Sequence, residues 1–417
     1  MMAAPAARER FEEFDIGRAL AILGLPVVHV LEEADALGML PEGFLDAHIF
    51  LLAASAFGAP LFMACMGGNM VFSRHTTPAA LARRGVELLI MGILLNVARF
   101  GVPDLVFGTI AGGNYDGLSW WPYELAGCDI YDFAGLCFLA FALFKKLRLS
   151  PAQILAAAAL CLVVGAYLLP AFFANPEMTV VTRLLGRLFW VNEASCFPLL
   201  TWLIFPACGY AFGSWFSALP SDDERTRRLR RMLLPAAVVF IATAAGVALC
   251  GLDPLIVYAS PANSYITDVP NVLMVASSLV LVAYLLHVAA TRLQGTRLLG
   301  WFVRVSKGII PYYVAQWVIV GWLELAMEDL GLYQVYTLNE ASYWLLSAAI
   351  ILVSLQLAKA WLALKAHRKS KRVGSGNRSS SRGARSARPT LFARCGAANR
   401  HLGRTLWRVS FCVQIVH

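Results

Sequence analysis

The chain has 417 residues, of which 59% are hydrophobic and 15% charged, a composition far too apolar for a soluble globular domain. Its formal net charge of +9 does not point to nucleic acid, because twelve Lys and Arg and no Asp or Glu lie from His367 onward. The nine cysteines are scattered, most of them in apolar runs and none in a C-x-x-C pair. That excludes a disulfide framework or a cysteine-rich zinc site, and no metal is expected.

The N-terminal stretch MMAAPAARERFEEFD is too polar for a signal peptide, and no A-x-A-like cleavage site follows the first apolar run. That run is therefore expected to be kept as a membrane span. Apolar runs of about 18 to 25 residues recur along the chain, the length a helix needs to cross roughly 30 Å of hydrocarbon. The sequence predicts ten spans, at residues 17–34, 49–72, 85–100, 129–146, 152–173, 196–217, 232–251, 270–290, 308–327 and 342–363. Basic residues cluster on alternate connections: Arg8 and Arg10; Arg74, Arg83 and Arg84; Lys145, Lys146 and Arg148; Arg225, Arg227, Arg228, Arg230 and Arg231; Arg292, Arg297, Arg304 and Lys307. The opposite loops hold only Arg183 and Arg187, so the positive-inside rule puts both termini in the cytoplasm. The expected fold is an all-α polytopic membrane protein in three parts. These are a cytoplasmic segment 1–16, a transmembrane domain 17–366, and a Gly/Ser/Arg-rich tail 367–417 that cannot bury a core and is expected to be disordered. Beside a final helix such a tail rests on anionic lipid or has no role, in preference to binding nucleic acid.

The long connection 101–127 is rich in Gly and aromatics. It is either a functional loop or, through Trp120, Trp121 and Tyr123, an interfacial aromatic belt. Asp129 and Asp132 begin the fourth span, where they suit a polar acceptor and helix capping equally. His48, His75 and His287 sit near the ends of spans, where solvated or interfacial roles are expected. No internal repeat relates the two halves, which counts against many transporter folds.

The first span, FDIGRALAILGLPVVHVLEE, carries the most informative pattern. Arg18 and His29 are eleven residues apart, within about 20° of three whole helical turns and about 16 Å along the axis, so they share a face. Asp15 lies one turn before Arg18, and Glu33 lies four residues beyond His29, placed either to hold its imidazole or, with Glu32, to form a solvated outer helix end. Pro26 is expected to kink the helix just before His29. An ionisable residue inside a span faces a cavity or a partner, so His29 is a functional candidate. A histidine that merely bonds a neighbouring helix, with an arginine that merely anchors the inner interface, fits the spacing as well.

DIGRALAILGLPVVH resembles the opening of the transmembrane acyltransferase superfamily, D-x-x-R-A-x-A…H. That superfamily includes bacterial envelope-polysaccharide O-acetyltransferases and the heparan-α-glucosaminide N-acetyltransferases. FGAPLFMACMGGNMVFSR is similar to its second-span element, with Met66 where Ser is usual. RRGVELLIMGILLN, DIYDFAGLCFLAF and SKGIIPYYVAQW are similar to later elements, with Gln316 where a His is common. The resemblance covers roughly residues 10–325 and is tightest over the first hundred.

It implies an integral acyltransferase of the plasma membrane that holds no permanent cofactor. Its co-substrate would be acetyl-CoA or another acyl-CoA from the cytoplasm, and its acceptor a hydroxyl or amine of a sugar, glycan or lipid-linked molecule at the outer side. In that scheme Arg18, Arg74, Arg83 and Arg84 bind donor phosphates, although Arg83 and Arg84 equally suit plain positive-inside residues. His29, assisted by Glu33, acts as general base or takes the acyl group itself, and Asp129 and Asp132 bind the acceptor. A homo-oligomer is left open. The competing reading is a transporter or flippase with an Arg18–His29 proton relay.

Overall fold

The computed structural model describes residues 11–73, 77–111, 126–127, 129–169, 179–189, 197–259 and 268–382. The chain divides into two units, 1–359 and 360–417, and the helices that position the site lie in the first. Its main helices are α1 (Glu12–Ala36), α2 (Ile49–Phe72), α3 (Pro78–Asn96), α4 (Val102–Ala111), α5 (Ile130–Lys146) and α6 (Pro151–Val163). They continue with α7 (Ile204–Ser217), α8 (Asp222–Leu249), α9 (Asp268–Leu293), α10 (Arg297–Lys307), α11 (Ile309–Asp329) and α12 (Glu340–Arg382). Among the described residues eight helices are long and apolar enough to cross a membrane, and Gly58–Phe72 is a shorter apolar one. The protein is thus an all-α polytopic membrane protein. The fourth expected span, α5, has 17 residues and carries Asp132 in its first turn and Lys145 and Lys146 in its last. The final helix runs past His367 to Arg382. Arg74, His75, Trp120, Trp121 and Tyr123 lie outside the described residues.

Short polar side chains set the helix starts. Thr77 accepts from the Ala80 amide ahead of Pro78, Ser150 and Gln153 cap α6 reciprocally, and Ser221 and Thr296 open α8 and α10 by accepting from the Glu224 and Leu299 amides. Each supplies a partner to an amide that the first helical turn leaves open.

Between the helices, contact is made by small residues. A Cβ on Gly67 would be driven into the Pro206 carbonyl, and one on Gly209 into the Ala64 carbonyl. The absence of side chains there lets α2 and α7 cross backbone to backbone, the usual route to tight association where hydrocarbon supplies no hydrophobic drive. The interior around them holds Ile22, Met63, Phe133, Phe141, Phe205 and Tyr312. The outer wall is different: Leu234 and Ile241 of α8 are 73% and 65% exposed, as befits side chains that meet lipid.

A π-helical turn, Val97–Gly101, joins α3 to α4 and swings Arg99 into the bundle. Such turns insert one extra residue per turn and recur at functional sites. Gly321 of α11 lies against the Arg99 carbonyl, where a Cβ would approach to 2.5 Å, so α11 closes onto this turn.

Candidate active site

The face of α1 predicted to carry Arg18 and His29 is turned inward at both residues. At the first end, Arg18 Nη2 donates to the Ser306 carbonyl at 3.3 Å, and Ser306 Oγ donates to Asp15 Oδ1 at 2.7 Å. Ser306 lies in the last turn of α10, so both polar residues of the D-x-x-R motif grip the joint before α11. About three turns further on, His29 is buried. Its Nδ1 is 3.0 Å from Gln316 Oε1, and its ring stacks on Trp317 with centroids 3.9 Å apart and planes inclined by 26°.

Trp317 leads to a buried polar network. Its Nε1 donates to the Tyr313 hydroxyl at 2.7 Å, and that hydroxyl donates to both Asp129 oxygens at 3.0 and 3.1 Å. Arg99 Nη1 pairs with Asp129 Oδ2 at 3.1 Å, while its guanidinium lies 4.4 Å from the Trp317 ring centroid. His29, Trp317, Arg99, Asp129 and Tyr313 therefore form one connected cluster drawn from α1, α11, the π turn and the start of α5. Cations on an indole face and charge pairs out of water are each strong locally, so this cluster holds Trp317, and through it the imidazole plane, in one place.

The remaining expected residues divide. Asp129 is the N-cap of α5 and forms a capping box with Asp132. Asp132 also pairs with Arg187 at 3.3 Å, whose Nη2 donates to the Gly127 carbonyl together with Asn96. Both aspartates are thus occupied by capping and ion pairing. Glu33 does not hold His29: its carboxyl interacts with that of Glu324 on α11, and Gln316 has the place expected for it. Arg83, with its side chain 73% exposed, and Arg84 both pair with Glu87, at 2.9 and 3.4 Å. The Tyr131 hydroxyl donates to the Ile310 carbonyl at 3.4 Å.

Of the histidines expected in solvated or interfacial roles near the ends of spans, His48 and His287 are buried instead. His287 bonds Glu13 at 2.8 Å and Thr226 at 3.0 Å; His48 bonds the Phe44 carbonyl at 2.8 Å and Glu340 at 3.0 Å. Arg99, Tyr313 and Trp317 were not anticipated. The available signal was a lone arginine inside a predicted span, which hydrocarbon does not tolerate without a partner.

A sequence model of the heparan-α-glucosaminide N-acetyltransferase catalytic domain matches residues 10–259. The chain belongs to this family. Its members are acetyl-CoA-dependent N-acetyltransferases, so the protein is a membrane-bound acetyltransferase enzyme, and the transporter reading is set aside. Acetyl-CoA is the family's co-substrate. Comparison with curated proteins and with solved structures finds no match. The matched stretch holds Arg18, His29, Arg99, Asp129, Asp132 and Arg187. It stops before α11, so Tyr313, Gln316 and Trp317 complete the cluster from outside it.

Proposed function

We propose that the protein transfers an acetyl group from cytoplasmic acetyl-CoA to an amine of a sugar, glycan or lipid-linked glycan at the outer face of the plasma membrane, with His29 as general base. The observation that carries this reading is His29 itself, buried on a span of the matched domain and clamped by a hydrogen bond and an aromatic stack. A histidine that served only as a helix link would not need its ring plane held as well.

In this scheme ten helices cross the membrane with both termini inside, α2 and α5 counted with the eight candidate spans. Arg18, which donates to the Ser306 carbonyl just before α11, meets donor phosphates there, and Arg74, Arg83 and Arg84 add positive charge for the same donor. The acceptor amine attacks the thioester carbonyl while His29 Nε2 takes its proton. The C–S bond then breaks, and the CoA thiolate leaves with the proton returned by His29. Asp129 and Asp132 shape the acceptor side by holding Arg99 and Arg187, and Glu33 acts with Glu324 beside it.

The test is transfer of labelled acetyl from acetyl-CoA to amino sugars and neutral sugars by the purified protein. Transfer to the amino sugars that His29→Ala abolishes is the expected result, with Arg18→Ala raising KM for acetyl-CoA more than it lowers kcat. Transfer undiminished in His29→Ala refutes the assignment.

A further inference from the structure

Gln316 has no exposed surface. Its Oε1 faces His29 Nδ1, and its Nε2 has no hydrogen-bond partner among the described residues. A carboxamide can meet an imidazole in two ways, and they have opposite consequences for catalysis. With the oxygen toward the ring, Nδ1 carries the proton and Nε2 keeps its lone pair. With the amide turned over, Nδ1 accepts, the ring proton sits on Nε2, and that atom cannot receive another. The structure has the first arrangement. It leaves a buried amide N–H unpaired, an arrangement that costs free energy and is sustained here by a closely packed helix pair.

We propose that Gln316 is a positioning residue that holds His29 as its Nδ1–H tautomer, so that Nε2 is the atom that takes the acceptor proton. This rests on the reading of His29 as the base. Trp317 fixes the plane of the ring and Gln316 fixes its rotation within that plane. Gln316 is also neutral. A carboxylate in its place would keep Nδ1–H but favour the imidazolium, which must give its proton up to the leaving thiolate. The other charged and titratable groups around His29 are Arg99 from the π turn, Asp129 of α5, Tyr313 and Glu324 of α11, Glu33 of α1 itself, and Tyr343 of α12, whose hydroxyl donates to the Val27 carbonyl at 2.8 Å. All are common to the variants below, so differences between those variants report Gln316.

The experiment uses the full chain in lipid nanodiscs, with labelled acetyl-CoA and D-glucosamine, from about pH 5 to 9. For Gln316→Leu, kcat falls by about two orders of magnitude with KM for acetyl-CoA little changed. For Gln316→Glu, much of kcat returns, and the acid limb of its pH profile moves up by about one unit, because the base must lose a proton that the carboxylate now favours. Wild-type kcat in Gln316→Leu alongside an inactive His29→Ala overturns the positioning role alone. Equal losses in the Leu and Glu variants with no shifted limb do the same. Activity retained by His29→Ala overturns the underlying reading of the base. A second measurement needs no acceptor: nitrogen NMR of histidine-labelled wild type, with the His29 signals identified by their loss in His29→Ala. A protonated Nδ1 is expected, and a protonated Nε2 overturns the proposal.

Discussion

Replacing Arg99 by methionine tests whether the buried cluster is held by charge. Arg99 and Asp129 are 4% and 2% exposed, and in Arg99→Met the Asp129 carboxylate keeps the Tyr313 hydroxyl and the first-turn amides of α5 but loses its counter-charge. Removing one member of such a pair costs about 3–5 kcal/mol, because the remaining charge stays out of water. Loss of the guanidinium from the Trp317 face adds roughly 0.5–2 kcal/mol. The double variant Arg99→Met/Asp129→Asn removes the stranded charge, while asparagine still caps α5 and still meets Tyr313. Its cost is expected at only about 1–2 kcal/mol, a coupling of about 2 kcal/mol or more between the two positions. Equilibrium unfolding in lipid bicelles by steric trapping measures each cost directly. A single variant that loses less than about 1 kcal/mol, or a double variant as unstable as the sum of its parts, refutes the argument. The same single variant loosens Trp317, so its kcat should fall as well.

Gly209→Ala is expected to destabilise the protein by about 1–3 kcal/mol by forcing α2 and α7 apart. Ala64→Gly should not rescue it, since the obstacle is the Ala64 carbonyl, and Gly246→Ala, which meets nothing within 4 Å, serves as the neutral control in a thermal-shift comparison. His48 lies just before α2, and its bonds to the Phe44 carbonyl and then to Glu340 outweigh burial and hold its pKa above the ordinary 6.5. The stabilisation this gives is complete below the ordinary value and is lost as pH rises through the elevated one. The stability gap between wild type and His48→Gln should therefore be widest near about pH 6 and close as the pH rises; a gap that widens with pH would contradict the sign.

Much of the helical framework was legible in advance because hydropathy and capping are local. Over the described residues the ten expected segments fall on helical stretches, and Asp129, Ser150 and Thr77 mark helix starts through side chains two or three residues from the amides they cap. Helical periodicity likewise put Arg18 and His29 on one face, and both are turned inward. What those residues touch was not legible. His29 meets Gln316 across 287 positions of chain, and nothing local distinguishes that glutamine from any other. Glu33 sits one turn from His29, yet its carboxyl interacts with Glu324 because α11 packs alongside α1 and offers its own carboxyl there. Arg99 fell within an apolar run and was absorbed into a span. Only the π turn, which no pattern of apolar residues announces, points it at Asp129 and Trp317. Sequence alone determined that helices cross a membrane and which residues on the first of them carry charge. The tertiary structure decided which distant helix satisfies each charge, because hydrocarbon offers a buried charge no partner outside the protein, and packing settles which one it finds.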